Sequence, residues 1–365
     1  MAFKMNTIKY DLCSYPPYIL LGERKIGKTT FWRDLVTEAW NKPEAGLLIS
    51  CGTEEGYHAL DNLQYESAPA WNQEYDEETG TRGLVQIVDD LIENNAQYGI
   101  RGVCLDTFDT LVDIATVEVL RMSRRDTGKV CKSLNEAYGG YGRGMDKMID
   151  IIKEQISRLR SAGLAVFIIS HIKFKERTDK ITGDKYEILT NNLFDKVYTS
   201  IADNAQMVML AAMDRDINNG KIENERRSLY LRGTSTIDAG GRFNDLPEKV
   251  DFTPQAFLAA FKQAVKSSAS NPAMTDSELS KLQKDELKQQ EQSVKIARKR
   301  DMEKRENEET EQHRAEYLDF ISKKFLTADE SSKSKAANLL TGAGYKKFSD
   351  PEVPASLLKT IAEIF

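Results

Sequence analysis

Short apolar runs and amphipathic segments alternate along residues 18–265 of this chain. Runs of β-prone apolar residues predict buried strands, at 18–21, 47–50, 102–106 and 164–171. Apolar residues at helical spacing predict helices, at 30–40, 84–92, 110–122 and 145–160. Strands that alternate with helices predict an α/β fold, a mostly parallel sheet covered on both faces.

Further elements are expected on both sides of this pattern. Beyond residue 171 the sequence predicts a hairpin at 172–192, strands at 205–212 and 227–232, and a closing helix at 254–265. Residues 65–82 are polar and rich in turn formers, so we expect a surface loop there, after a short helix at 57–64.

Composition changes after residue 266. Residues 267–277 are small and polar and predict a linker between the core at 1–266 and a helical extension. Residues 278–317 hold 21 charged residues in 40 without Gly or Pro, which predicts one long charged helix. Its apolar positions do not keep a heptad, so an exposed helix is favoured and a coiled coil stays open. Residues 318–365 regain apolar periodicity and predict a small helical tail with a possible protein partner.

Composition and charge narrow the class of protein. The chain has 365 residues, of which 40% are hydrophobic and 30% charged, and its longest apolar runs are too short to cross a membrane. The N-terminus lacks the apolar segment of a secretion signal, and the four cysteines are widely spaced, so we expect reduced thiols in the cytoplasm. The net charge is −6, so any nucleic-acid site must be a local basic surface.

The segment 22–30 follows the first predicted strand and opens the first predicted helix. It fits G-x-x-x-x-G-K-[ST] at every position, with Gly22, Glu23, Arg24, Lys25, Ile26, Gly27, Lys28, Thr29 and Thr30. Loop amides and the helix N-terminus would bind the phosphates of ATP. Lys28 would neutralise the β- and γ-phosphates, and the Thr29 hydroxyl would bind Mg²⁺. The alternative is a chance glycine turn before a helix.

Three acidic residues follow predicted strands at the edge where ligands bind in parallel sheets. Asp106 ends the strand at 102–106 and is the candidate second ligand of Mg²⁺. Glu54 and Glu55 follow the strand at 47–50, and either could orient or deprotonate the attacking water. The alternative interpretations are a strand-terminating Asp and a solvated turn.

His171 and Arg232 are candidates for sensing and catalysis. His171 closes the predicted strand at 164–171 and would detect the γ-phosphate, although a core or capping histidine is an equal alternative. Arg232 lies on the predicted strand at 227–232 and would reach the γ-phosphate of a neighbouring subunit as an arginine finger. A surface salt bridge is the alternative for Arg232.

Two segments combine cations with aromatic residues, a composition that suits single-stranded DNA because charges follow the phosphates and rings stack on bases. The candidate DNA-binding residues are Arg124, Arg125, Lys129, Lys132, Tyr138, Tyr141, Arg143, Lys173, Lys175 and Arg177. Each segment alone is also typical of solvated surface. Both segments follow strands whose carboxyl ends line the predicted ligand-binding edge of the sheet, and together they favour a DNA interface.

These motifs resemble the RecA/KaiC-type ATPase core over residues 15–266. The paired glutamates and the run 231–235, Leu-Arg-Gly-Thr-Ser, are similar to KaiC-like members. The Gly-rich turn at 138–144, the Ile-Ile-Ser-His strand and the run 239–243 resemble small phage-encoded RecA-like ATPases that bind single-stranded DNA and promote annealing. The resemblance implies a homo-oligomer with ATP and Mg²⁺ at subunit interfaces. Tyr230 stands where KaiC-like proteins usually have Lys.

Two other functions fit the same residues. A replicative helicase or helicase loader uses the same core, and unwinding of forked DNA would distinguish it. A KaiC-like regulatory ATPase that binds proteins and no DNA is favoured by the acidic charge and the long charged helix, and disfavoured by the two basic segments.

Overall fold

The computed structural model describes residues 8–53, 55–219, 221–350 and 352–365, without the side chains of 305–312 and 315. The chain forms two compact units, Met1–Val294 and Lys295–Phe365. In the described part of the chain, no helix is both long enough and apolar enough to span a bilayer.

The first unit is built on one large sheet. Its strands in chain order are β1 (Tyr18–Gly22), β2 (Gly46–Cys51), β3 (Gln64–Ala68), β4 (Gly102–Asp106), β5 (Ala165–Thr178), β6 (Lys185–Asn191), β7 (Met207–Asn218), β8 (Lys221–Tyr230), β9 (Gly240–Gly241) and β10 (Lys249–Asp251). The order β3–β2–β4–β5–β1–β7 is parallel throughout, and β8 and β10 extend it antiparallel beyond β7. The prediction of an α/β fold with a mostly parallel sheet is confirmed.

Helices cover both faces of this sheet. They are α1 (Lys28–Trp40), α2 (Leu84–Tyr98), α3 (Phe108–Thr127), α4 (Arg143–Ser161), α5 (Asp195–Ala202), α6 (Pro254–Ser268) and α7 (Asp276–Gln312). One core cluster packs α2, α3, α4 and α5 on the sheet, and the other packs α1, α6 and the start of α7 on the opposite face. All five residues of β1 are buried, which explains its unbroken apolar run.

Two predictions of local structure are wrong. Residues 64–68 form the edge strand β3 instead of a loop, because pairing with β2 outweighs their polar composition. The strand predicted to end at His171 runs on to Thr178 and pairs with β6 as the β5–β6 hairpin. Beyond β3, residues 69–82 are irregular as predicted, and the short helix is one 3₁₀ turn at Gly56–Ala59.

The first part of helix α7 belongs to the core unit. This unit extends to Val294, beyond the predicted boundary at residue 266. The side chain of Leu279 is buried against the α1–α6 face. The second unit packs α8 (Arg314–Thr327), α9 (Glu330–Gly342) and α10 (Ala355–Ala362) around Ile321, Leu340 and Leu358.

Candidate nucleotide site and nucleic-acid interface

The loop 22–30 joins the end of β1 directly to the first turn of α1. Gly27 precedes the helix with φ = 106°, a left-handed conformation that favours glycine. Among the described residues no side chain caps the N-terminus of α1, and the N-terminus of a helix attracts anions. This arrangement fits the phosphates of a nucleotide.

Lys28 is buried and points back into the loop. Its Nζ atom donates hydrogen bonds to the carbonyl oxygens of Gly22 at 3.1 Å and Glu23 at 2.9 Å. A Cβ atom at Gly22 would lie 3.0 Å from Lys28 Cδ and 3.2 Å from the Ala211 carbonyl oxygen. A larger residue at Gly22 would therefore press on the Lys28 side chain and on the backbone of β7.

Thr29 and Asp106 provide two oxygen ligands side by side. The Thr29 hydroxyl donates to Asp106 Oδ2 at 2.8 Å, and Asp106 is the buried last residue of β4. A hydroxyl and one carboxylate, with phosphate oxygens and water completing the shell, suit Mg²⁺. Clusters of three or more His, Cys, Asp or Glu that could hold a metal are absent from the described residues, and a phosphate-bound Mg²⁺ does not require one.

The other loop residues attach the loop to its surroundings. Glu23 accepts a hydrogen bond from the Met213 amide at 3.0 Å, which fixes the loop to β7. Ile26 is buried with the α1–α6 cluster. Arg24 and Lys25 are exposed, and Lys25 has φ = 61°.

The candidate water-activating residues follow β2, the strand beside β4. Ser50 on β2 is level with Asp106 on β4, so the chain after β2 leaves the sheet next to the Mg²⁺ candidate. Glu55 is exposed and precedes the 3₁₀ turn, whereas Glu54 lies outside the described residues. The role of either glutamate stays a prediction.

His171 lies in the middle of β5 and is level with Gly22 of β1. Its backbone N–H donates to Asp109 Oδ2 at 3.1 Å, and its Nδ1 atom is 3.4 Å from the same oxygen. Asp109 also accepts hydrogen bonds from the Ser170 hydroxyl at 3.0 Å and from Asn192 at 3.5 Å. Burial raises the pKa of Asp109, but the hydrogen bonds from His171 and Ser170 outweigh it and hold that pKa below its ordinary value.

Arg232 lies two residues past the end of β8, so the predicted strand 227–232 ends earlier than expected. Its backbone N–H donates to the Glu248 carbonyl at 3.2 Å, and the residue is exposed. Because β8 runs antiparallel to β7, Arg232 lies toward the opposite edge of the sheet from the phosphate loop. The structure does not bring Arg232 to the site of its own chain.

A cavity of about 410 Å³ opens beside the phosphate loop. It begins at Gly27 and Thr30 and follows α1 as far as Glu38. Phe31 and Phe252 stack against each other at its wall, with ring centres 4.8 Å apart. Arg227 of β8 lines the end nearest the loop.

Some side chains of the first basic segment are exposed, and others are held by hydrogen bonds or ion pairs within the protein. Tyr141 is 97% exposed, whereas Tyr138 is partly buried and donates its hydroxyl to Asp126 at 3.0 Å. Burial and that hydrogen bond raise the pKa of Tyr138 to about 12. Arg125 also pairs with Asp126. The remaining cations are exposed, namely Arg124, Lys129, Lys132 and Arg143.

On the β5–β6 hairpin, two of three predicted cations are bound to one carboxylate. Lys175 and Arg177 form ion pairs with Asp195 at 2.7 and 2.6 Å, and hydrogen bonds from Arg177 and Lys175 lower the pKa of Asp195 to about 2. Lys175 also donates to the Leu193 carbonyl at 2.6 Å. Lys173 is exposed.

Sequence reasoning missed four residues near these sites. Phe174 and Phe194 are 65% and 74% exposed beside the predicted cations. Phe174 had a sequence signal, since it stands between Lys173 and Lys175, whereas Phe194 comes near the cations only through the ion pairs of its neighbour Asp195. Asp109 and Arg227 had no motif to mark them, because Asp109 meets His171 only through the packing of α3 against β5, and Arg227 meets Gly27 only through the register of β8.

The strand, glycine loop and helix, with a buried lysine and a Thr–Asp pair, define a P-loop nucleotide-binding protein. The sequence profile of the AAA domain family matches residues 15–243. This chain belongs to that family, which is one of P-loop AAA-type ATPases. No curated protein matches the sequence.

Proposed function

We propose that this chain is a RecA-like ATPase that uses Mg²⁺-ATP, binds single-stranded DNA and acts in recombination or annealing. We further propose that it is phage-encoded and works in the host cytoplasm as a homo-oligomer. The observation that carries the DNA proposal is a group of exposed aromatic residues at the same sheet edge as the P-loop. The resemblance of residues 138–144 and 239–243 to phage RecA-like ATPases favours this class over others.

The chain's own residues supply most of the ATPase site. Lys28 would neutralise phosphate charge, and Thr29 with Asp106 would hold Mg²⁺. Bound Mg²⁺ would polarise the phosphoryl oxygens. Glu55, or Glu54, would orient or deprotonate the attacking water from the neighbouring strand end. Glu55 is exposed, so a neighbouring subunit would have to exclude bulk water there.

Arg232 would complete the site of a neighbouring subunit. It follows Arg227 by five residues, which corresponds to about 17 Å of extended chain. Since Arg227 is the residue that lies beside the P-loop, Arg232 is too far away to act in its own subunit. A finger from one subunit and a P-loop from the next would make activity depend on oligomerisation.

We define the aromatic surface as Tyr141, Phe174 and Phe194, which lie on three different segments. Lys175, next to Phe174, donates to the Leu193 carbonyl at 2.6 Å, which joins the hairpin to the start of α5. Lys196 of α5 forms an ion pair with Asp146 at 2.5 Å, which joins α5 to the first turn of α4, directly after the Gly-rich turn. Three exposed rings on joined segments suit stacking by successive bases.

Charge around the aromatic surface supports nucleic acid as the partner. Residues 121–147 contain seven Lys or Arg and only three Asp or Glu, within a chain of net charge −6. Residues 172–196 add six Lys or Arg and five Asp or Glu. The neighbourhood is therefore locally positive in an acidic protein, as expected for a backbone-binding groove.

A chain of contacts runs from the P-loop to this surface. His171 is level with Gly22, and Asp109 binds both His171 and Asn192, which follows the β5–β6 hairpin. A change beside Gly22 would therefore reach both ends of the hairpin that carries Phe174. DNA-stimulated hydrolysis needs a connection of this kind between the two sites.

A protein-binding regulatory ATPase is the second candidate. The observation that favours it is that Lys175 and Arg177 are bound to Asp195, which reduces the free positive charge of the hairpin. Protein partners would also stack on exposed aromatic residues. The two candidates differ in one measurable property, binding to single-stranded DNA.

The deciding experiment measures ATP hydrolysis and oligonucleotide anisotropy with and without single-stranded DNA. The parent chain should bind an oligonucleotide more weakly at high salt and hydrolyse ATP faster when DNA is present. Replacing Tyr141 and Phe194 with alanine should weaken binding by 10-fold or more, roughly, at 1–3 kcal/mol per stacked base. Tyr75→Ala, which removes an exposed tyrosine elsewhere, is the control.

Lys28→Ala separates the two activities. It should abolish hydrolysis while leaving the aromatic surface unchanged. ATP hydrolysis by the parent without any DNA binding would favour the regulatory ATPase. Unwinding of a forked duplex would instead favour a helicase or its loader.

A further inference from the structure

Arg227 occupies a position that the motifs do not explain. It lies on β8 opposite Met213, two residues above the level of Gly22 in the sheet. Alternate residues of a strand share a face, so Arg227 lies on the same face as Leu229 and Leu231, which are buried with α1 and α6. That face is the one on which the helix after the P-loop packs.

The Arg227 guanidinium approaches the loop closely. A Cβ atom on Gly27 would be 3.7 Å from Arg227 Nη1, and both residues line the 410 Å³ cavity. The cavity leaves the phosphate loop at Thr30 and follows α1, so it extends away from the phosphate-binding turn. Space in that direction would hold the nucleoside part of a nucleotide and not its γ-phosphate.

The Arg227 side chain has no hydrogen bond or ion pair with any residue that the structure describes. Its neighbour Arg226, on the opposite face of β8, is 3.7 Å from Asp214 Oδ2. Asp214 also accepts hydrogen bonds from Ser228 and Tyr230. One arginine of this pair is therefore part of a polar cluster, and the other points its charge into the cavity.

We propose that Arg227 binds the nucleotide of its own subunit by stacking its planar guanidinium on the base. This inference rests on the proposed ATPase function and adds a residue to its binding site. Arginine stacks on flat π-systems better than lysine does, because its guanidinium is planar and weakly hydrated. The Phe31–Phe252 pair lines the same cavity and adds an apolar surface. The contact involves only the part that ATP and ADP share.

The test compares ATP and ADP affinities by titration calorimetry for the parent, Arg227→Ala and Arg227→Lys. Arg227→Ala should weaken the binding of both nucleotides equally, by about tenfold, between the values for exposed and for desolvated cation–π contacts. Arg227→Lys should recover only part of the loss. Arg226→Ala, which removes the same charge from the other face, should leave both affinities unchanged. The effect should not depend on protein concentration, because the contact lies within one subunit.

Three results would overturn this inference. Loss of ATP affinity with ADP affinity unchanged would place Arg227 at the γ-phosphate. Full recovery of affinity in Arg227→Lys would mean that the charge of this residue acts without stacking. An equal loss of affinity in Arg226→Ala would mean that both substitutions act through a general effect on β8. Failure of the proposed ATPase activity, on which this inference rests, is distinguishable, since the parent chain would then bind no nucleotide. If the parent binds nucleotide and Arg227→Ala binds it with the same affinity, the inference about Arg227 is refuted and the proposed ATPase function is not.

Discussion

Asp109 illustrates how much a single residue connects at this site. It is in the first turn of α3 and accepts hydrogen bonds from β5 and from the residue that follows β6. An ionised carboxylate with several donors is stabilised in its charged form, which is the cause of its lowered pKa. Folding stability must therefore depend on the ionisation of this carboxylate.

Asp109→Asn should lower the free energy of unfolding by about 1–3 kcal/mol at pH 7, because charged hydrogen bonds are lost. A carboxyl with a lowered folded-state pKa stabilises above its unfolded pKa of about 3.9, and this stabilisation disappears as pH falls through the folded value. The difference between parent and variant should therefore shrink below about pH 4. Urea unfolding of both proteins at several pH values measures this difference in the free energy of unfolding.

The control is Asp113→Asn, one turn further along α3. Burial and the charge of Asp109 raise the pKa of Asp113, so its ionisation opposes folding. Its replacement should be neutral or slightly stabilising above pH 5, roughly the opposite of Asp109→Asn. A pH-independent difference between the parent and Asp109→Asn would contradict the ionic account.

Glu55→Gln should slow ATP hydrolysis by about 10²–10⁴-fold and leave ATP affinity unchanged if this carboxylate is the general base. Amide and carboxylate have the same shape, so packing is preserved. Single-turnover hydrolysis and nucleotide titration measure the two effects. Glu54→Gln is the matched comparison, and a larger effect there would exchange the two roles.

At the scale of elements, sequence pattern predicted the parts whose chemistry is local. The strand, loop and helix from Tyr18 to Trp40 follow from a glycine motif between an apolar run and a helical repeat. Asp106 follows from an apolar strand that ends in an acid. Each of these signals is complete within a few residues, so no knowledge of distant pairing was needed.

The parts that were missed depend on pairing between distant segments. β3 has a polar composition and forms because β2 offers a parallel partner. β5 continues beyond its apolar run because β6 returns along it. The position of Arg227 beside Gly27 depends on the register of β7 with both β1 and β8. A sequence read as separate windows contains none of these pairings.

β8 also determines where Arg232 can act, since its length separates Arg232 from the P-loop of the same chain. Arg232→Ala should lower ATP hydrolysis by roughly 10³–10⁵-fold if it is a full arginine finger, and should spare ATP affinity. Activity per subunit of the parent should rise with protein concentration. Steady-state hydrolysis at several concentrations, with mass measured in parallel, tests both statements.

Complementation gives the sharper test of a finger in trans. Mixing Arg232→Ala with Lys28→Ala should restore some activity, because some interfaces then combine an intact P-loop with an intact finger. Arg232→Ala mixed with itself is the control. A mixture that assembles and stays inactive would show that Arg232 does not serve a neighbouring site.

At the scale of the whole molecule, the first part of α7 belongs to the ATPase unit. Glu286 is buried and accepts hydrogen bonds from the Tyr10 amide at 2.6 Å and from the Ser14 hydroxyl. Gln283 donates to the Tyr10 carbonyl at 3.0 Å. Leu279 adds a buried apolar side chain. The start of α7 therefore forms hydrogen bonds with the backbone amide and carbonyl of Tyr10, which no other described element binds.

A chain ending at residue 294 should fold and bind ATP with the parent's affinity. A chain ending at residue 266 should be less stable, because it exposes the surface under Leu279 and leaves the Tyr10 groups without their partners. Leu279→Ala in the chain 1–294 isolates the apolar part of this loss and should cost about 2–5 kcal/mol. The shorter chain should lose at least as much. Urea unfolding followed by tryptophan fluorescence compares all three chains, since Trp32 and Trp40 lie in the core unit. Equal urea midpoints for the chains 1–266 and 1–294 would mean that α7 adds no stability and that the core is complete at residue 266. The linker-like composition of residues 267–277 alone predicts that result.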